Sequence, residues 1–286
     1  GFESMHSNTS GNENVAIGIT ALRSNTTGGR TVAIGGKALY SNTTGSGNIA
    51  IGFSTLYSNT TGGDNTAVGH LSLSANTTGG ANSAYGSQAL AANTTGQKNV
   101  ANGFESMISN TSGNENVAIG FRALRSNTGG GGEESGESGD NVAIGSYALY
   151  LNTTGNKNVA SGNKAMYSNT IGEKNVANGY SALYSNTTAS NNTASGFESM
   201  YSNTTGTGNI ANGWRALYSN TTGEYNTAIG SEAMFSNTTG TRNIAIGFGS
   251  MYSNTTGGTN SAIGRDALFS NTTGGNNTAS GDLTFT

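Results

Sequence analysis

A glycine returns along this chain every 17 residues, and that period limits the possible folds more than any other feature. It opens units at Gly1, Gly18, Gly35, Gly52, Gly69, Gly86, Gly103 and Gly120, and again from Gly145 through Gly162, Gly179, Gly196, Gly213, Gly230, Gly247, Gly264 and Gly281. Only the step from Gly120 to Gly145 differs, being 25 residues long and so carrying eight more than the rest. A 17-residue unit has no room for a strand plus a full helix and cannot bury an apolar side alone. It must stack on its neighbours. The period therefore predicts an all-β fold, a parallel β-solenoid (β-roll) of about 16–17 coils with 17 residues per coil. Residues 1–286 read as a single repeat solenoid interrupted by an acidic, glycine-rich insertion at 129–139.

Numbering each unit from its glycine as position 0 exposes the constraints. Alanine stands two places before the next glycine in all sixteen complete units, and Leu or Met stands at position 4 in all sixteen. Position 7 is always Asn, position 8 always Thr, and position 13 is Asn except at Thr31. Fourteen of the sixteen residues at position 14 are the β-branched Val, Ile or Thr, which favour a strand ending at the glycine. Strand alternation places Asn, Ala and Gly on one face and Val and Ile on the other. The segment typified by Ala216-Leu-Tyr-Ser-Asn-Thr221 reads as a second short strand or one helical turn, and Asn-Thr-Thr-Gly as a turn. Two short strands and two turns fit the unit. Coils about 4.8 Å apart would give a rod of roughly 80 Å. A narrow interior tolerates little change in volume, so the invariant Ala and Leu/Met columns belong inside. The Asn columns belong in amide ladders, each side chain bonding to its equivalent in the next coil.

That placement sends Ile17, Ile34, Ile51, Val68, Ile119, Ile144, Ile229, Ile246 and Ile263 outward, making a sheet apolar on both faces. Such a sheet calls for a second cover, and the expected cover is another copy of the chain. The alternative points Val and Ile inward and leaves a monomer. Polar residues at Asn102, Ser161, Asn178, Ser195 and Asn212 sit more easily at an interface than inside a coil.

Position 5 holds a candidate site. In eight consecutive coils it is aromatic: Tyr150, Tyr167, Tyr184, Tyr201, Tyr218, Phe235, Tyr252 and Phe269. The earlier coils carry His6, Arg23, Tyr40, Tyr57, Ser74, Ala91, Ile108 and Arg125 there, so the position accepts charge and reads as exposed. The row is either a stacking ladder that stiffens the coils or a stripe that binds carbohydrate or another partner. A second candidate is the acceptor pattern for N-glycosylation, Asn-Thr-Thr or Asn-Thr-Ser. It occurs at Asn8, Asn25, Asn42, Asn59, Asn76, Asn93, Asn110, Asn152, Asn186, Asn203, Asn220, Asn237, Asn254 and Asn271. Turn and ladder requirements select the same residues, so the pattern is either a glycan acceptor or incidental to them. In the insertion, Glu133, Glu134, Glu137 and Asp140 have ligand chemistry for a hard cation but no recognised spacing.

Forty-six glycines with abundant Asn, Ser and Thr would ordinarily mark disorder, but proline is absent and the apolar residues keep fixed places. Twelve basic against fifteen acidic residues give a net charge of −3, which supplies no attraction for nucleic acid. No apolar run is long enough to insert in a membrane. Cysteine is absent, and the two histidines, His6 and His70, stand at different positions of different coils. No serine has an identifiable base, and the glycines follow the 17-residue period, not a phosphate-loop spacing. These features argue against an enzyme and call for no cofactor or metal. The chain begins at a glycine in mid-pattern without Met or a signal peptide, which reads as a processed chain or part of a longer one. Near-identical blocks from Gly1 and Gly103 lie six coils apart and suggest growth by duplication.

Asn226-Thr-Ala-Ile-Gly230 followed by Ala233-Met234 resembles the head repeats of YadA-like trimeric autotransporter adhesins. The longer unit with Ala-Leu-Tyr-Ser-Asn-Thr-Thr-Gly is similar to the repeat shafts of phage and bacterial tail-fibre-like surface proteins. The resemblance covers essentially every coil, although the 17-residue unit is longer than the adhesin repeat. It implies left-handed parallel β-rolls, association of three chains, and a place outside the cell, on its surface or on a virion appendage. The expected function is a structural, self-associating fibre or adhesin shaft, a homo-oligomer such as a trimer or an end-to-end filament. The alternative is a solenoid that binds cell-surface carbohydrate or, further off, ice through its Tyr, Thr and Asn columns.

Overall fold

The structure, a computed structural model, describes residues 1–129 and 139–283. The chain forms two compact units, Gly1–Ser146 and Tyr147–Thr286. In the first, eight three-residue strands follow one another: β1 (Val15–Ile17), β2 (Val32–Ile34), β3 (Ile49–Ile51), β4 (Thr66–Val68), β5 (Ser83–Tyr85), β6 (Val100–Asn102), β7 (Val117–Ile119) and β8 (Val142–Ile144). The second holds β9 (Val159–Ser161), β10 (Val176–Asn178), β11 (Thr193–Ser195), β12 (Ile210–Asn212), β13 (Thr227–Ile229), β14 (Ile244–Ile246), β15 (Ser261–Ile263) and β16 (Thr278–Ser280). Within each unit successive strands pair in parallel and in register, one repeat apart, as Ala16 with Ala33 and Ala228 with Ala245. Each unit is therefore a parallel β-solenoid with 17 residues per turn, and no helix occurs among the described residues.

The insertion does not disturb this register. Val117 pairs with Val142 and Ala118 with Ala143, so the coil closes at the same point although the chain between is longer. Residues 130–138, which include Glu133, Glu134 and Glu137, lie outside the described residues. Asp140 is described and exposed.

The strand faces resolve as alternation requires. In β3 the alanine, Ala50, is fully buried, while Ile49 and Ile51 are exposed. The alternative with Val and Ile inward is excluded, because the alanine column from Ala33 to Ala262 has no accessible surface. The second column of the core is Leu or Met at position 4, and the third is Ala, Ser or Thr at position 3. Small and large side chains thus alternate across a core too narrow for a second large residue.

One expectation needs correction. Each coil has one strand, not two, and positions 1–6 form an irregular turn. Its cause is the backbone: positions 2 and 4 lie in the left-handed region, as at Arg215 (φ 52°) and Leu217 (φ 53°). A left-handed residue at every second place bends the chain out of a pleated strand. Hydrogen bonding between coils persists even so, since Leu217 N–H donates to Ala233 O at 2.9 Å and Arg215 N–H to Phe197 O at 2.9 Å. A bulky residue in this conformation costs on the order of 1 kcal/mol, which complete burial of the Leu or Met side chain offsets at about 1.5–3 kcal/mol.

The marking glycine has a stricter reason for its invariance. From Gly18 to Gly281 its φ lies between 122° and 142°, a region only glycine enters freely. A Cβ at Gly179 would also fall closer to Gly196 O than the 3.0 Å that real Cβ atoms keep. Position 10 differs. Its glycines are crowded too, but their φ is not positive, and Ala189 takes that place in one coil.

Two ladders and an open face as candidate interaction surfaces

Three columns of side chains could face a partner: the asparagines, the aromatic row and the outer face of the strands. The asparagines of position 7 turn inward. From Asn25 to Asn254, through Asn42, Asn59, Asn76, Asn93, Asn110, Asn152, Asn186, Asn203, Asn220 and Asn237, they are fully buried. Only Asn8 is exposed, and Asn271 is half-buried. In Asn59 the amide nitrogen donates to Asn42 Oδ1 at 2.8 Å and to Gly62 O at 2.9 Å, and Oδ1 accepts from Asn76 at 2.8 Å. Both amide hydrogens are used, so a glycan at an interior site requires the coil to open. Position 13 makes a second buried ladder. Asn65 donates its backbone N–H at 3.0 Å and its amide at 3.1 Å to Asn48 Oδ1, and its amide also reaches Gly79 O at 2.9 Å. Among the described residues no buried side-chain nitrogen or oxygen lacks a partner, which is what allows a core this polar to be stable.

The aromatic row is a stack. In the second unit Tyr150, Tyr167, Tyr184, Tyr201, Tyr218, Phe235, Tyr252 and Phe269 follow at centroid distances of 5.1, 5.2, 5.0, 5.3, 5.1, 5.2 and 5.1 Å, with planes within 11° of parallel. The rings are half-buried, not exposed. Strand spacing imposes the distance, and an offset stack at that separation is favourable. Each inner ring turns both faces to its neighbours and leaves only an edge to solvent. A sugar packs on a ring face, so this geometry serves the stack better than it serves a carbohydrate. Burial, helped by the phenols on either side, holds the Tyr167 and Tyr201 hydroxyls above their ordinary pKa.

The open surface lies elsewhere. Positions 14 and 16 of every strand point outward, and the bulky residues at position 1, just past the glycine, are exposed too. Ile17, Ile51, Ile119, Ile144, Ile229 and Ile263 are exposed on this face, and at position 1 Phe53, Phe104, Phe121, Tyr180, Phe197, Trp214 and Phe248 are exposed as well. Sequence reasoning missed position 1 because its residues range from Phe and Trp through Ser to Arg and Asp. The available signal was that its aromatics cluster in runs, as at Tyr180, Phe197 and Trp214.

Charged groups pair between coils in the turn that follows the glycine. Arg215 bonds Glu198 at 2.8 Å and lies 4.7 Å from the Trp214 ring centroid. Glu105 accepts from Arg122 at 2.8 Å and Arg125 at 3.1 Å. Burial works to raise the Glu105 pKa, but the two guanidinium hydrogen bonds outweigh it and hold the carboxyl below its ordinary range. Of the histidines, His70 stacks on Phe53 at 6.0 Å. Among the described residues no three His, Cys, Asp or Glu side chains gather as a metal site, and no helix is long and apolar enough to cross a membrane. No known protein-family model matches the chain, and neither does any curated protein.

Proposed function

We propose that this chain is a structural repeat segment, a self-associating shaft of an extracellular fibre, adhesin or virion appendage. The single observation that carries the reading is the outer face of the strands, which leaves Val and Ile uncovered in both units, as at Ile17, Ile51 and Ile144 in the first and Ile229, Ile246 and Ile263 in the second, with Ser or Asn at position 16 of β9 to β12. Eight strands about 4.8 Å apart, with a face about four residues wide, present on the order of 450 Å2 in each unit. That is more than half of the roughly 800 Å2 one partner gives to a stable interface. A monomer has no reason to keep such a face, whereas a second copy brings a matching face with the same 4.8 Å periodicity. The sequence likeness to trimeric adhesin heads and tail-fibre shafts agrees with packing of this kind. The aromatic row supports the shaft reading over a carbohydrate-binding one, because its rings use their faces on one another. Sedimentation of the purified chain at micromolar concentration tests the proposal. A discrete oligomer or filament is expected, and a clean monomer would reject it.

A further inference from the structure

The aromatic column of the first unit has a gap. Tyr40 and Tyr57 stack at 5.2 Å with their planes 10° apart, but the next two places of position 5 hold Ser74 and Ala91. Tyr57 thus has a ring on one face and the small Ser74 beside the other. A groove of about 330 Å3 opens there, lined among others by Tyr57, Ser74, Leu71, Ser54 and Lys37. The groove is shallow and largely open to solvent. The same column in the second unit shows what fits against such a ring, since every coil from Tyr150 to Phe269 adds another at 5.0–5.3 Å.

We propose that this groove binds a small arylalkanoate, whose ring takes the place of the missing rung on Tyr57 and whose carboxylate meets Lys37. The ring requirement comes from the free Tyr57 face and the apolar Leu71 beside it. The charge requirement comes from Lys37, the one charged residue lining the groove, which has no ion pair among the described residues. The groove runs across three coils, from Lys37 to Ser74. Two coil steps amount to about 10 Å, so a lysine side chain meets a carboxylate held off the ring by a short alkyl arm.

Ligand-observed NMR and calorimetry with 3-phenylpropanoate, against its neutral amide, test this. Saturable binding of the carboxylate with a dissociation constant of about 1 mM is expected for a ligand of this size. Ser74→Tyr should abolish binding of both compounds by supplying the rung from the chain itself. Lys37→Glu, at an exposed residue, should weaken the carboxylate about two- to fivefold and leave the amide unchanged. Absence of saturation in the unaltered chain overturns the proposal. So does undiminished binding in Ser74→Tyr, or equal affinity of the carboxylate in Lys37→Glu.

Discussion

The asparagines are the residues that most define this molecule. A buried amide without partners is costly, so a core with two per coil is stable only if every coil supplies the next one's bonds. Asn203 shows the dependence: it donates to Asn186 Oδ1 and to Gly206 O, each at 3.0 Å, and accepts from Asn220 at 2.8 Å. Gly206 O keeps a second donor in Asn192, but Asn186 Oδ1 and one hydrogen of Asn220 would lose their partners. Asn203→Ala is therefore expected to cost about 2–5 kcal/mol. Thr205→Ala, at an exposed residue nearby, should change stability by less than about 0.5 kcal/mol. Denaturant unfolding of the two variants decides this, and equal effects would refute a ladder that carries stability. Because Asn-Thr-Thr is also an acceptor pattern, the same residues look like surface sites in the sequence. Burial separates the two roles, and burial is not a property of three residues.

At the scale of the element, the aromatic row couples stability to pH. The folded state holds Tyr167 and Tyr201 protonated above their ordinary pKa of 10.0, while the unfolded chain ionises them near that value. A raised folded pKa contributes stability that is fully present below about pH 10 and lost as pH climbs through the raised value. The second unit is therefore expected to lose stability in alkali, and Tyr167→Phe with Tyr201→Phe should lessen that loss while keeping the stack. Thermal unfolding from pH 9 to pH 12 measures it, and identical slopes for both proteins would refute the coupling. The strand was legible from Val and Ile before a glycine. The turn at positions 1–6 was not, because left-handed Leu and Met residues contradict their own preferences. Only contact between coils holds them there.

At the scale of the whole molecule, the outer face carries the function proposed for it. Ile229, Ile246 and Ile263 are exposed in β13, β14 and β15, and other coils already carry Asn102, Asn178 and Asn212 at the equivalent place. The coil thus accepts asparagine there without a change of fold. The triple variant Ile229→Asn, Ile246→Asn and Ile263→Asn should shift sedimentation towards the monomer and leave the far-UV spectrum unchanged. Unaltered association would place the contact elsewhere. By itself the sequence determined the 17-residue coil, the inward Ala and Leu/Met columns, the amide ladders and the stacked aromatic places. A stacked repeat brings equivalent positions together automatically, so periodicity is enough to predict those contacts. Tertiary structure alone decided that the bulky residues of position 1 are exposed, that the sequon asparagines are buried, and that Tyr57 borders a groove. These depend on the path of the chain within one coil, where the backbone conformation at the glycine and at positions 2 and 4 sets direction, and a repeat pattern carries no record of that path.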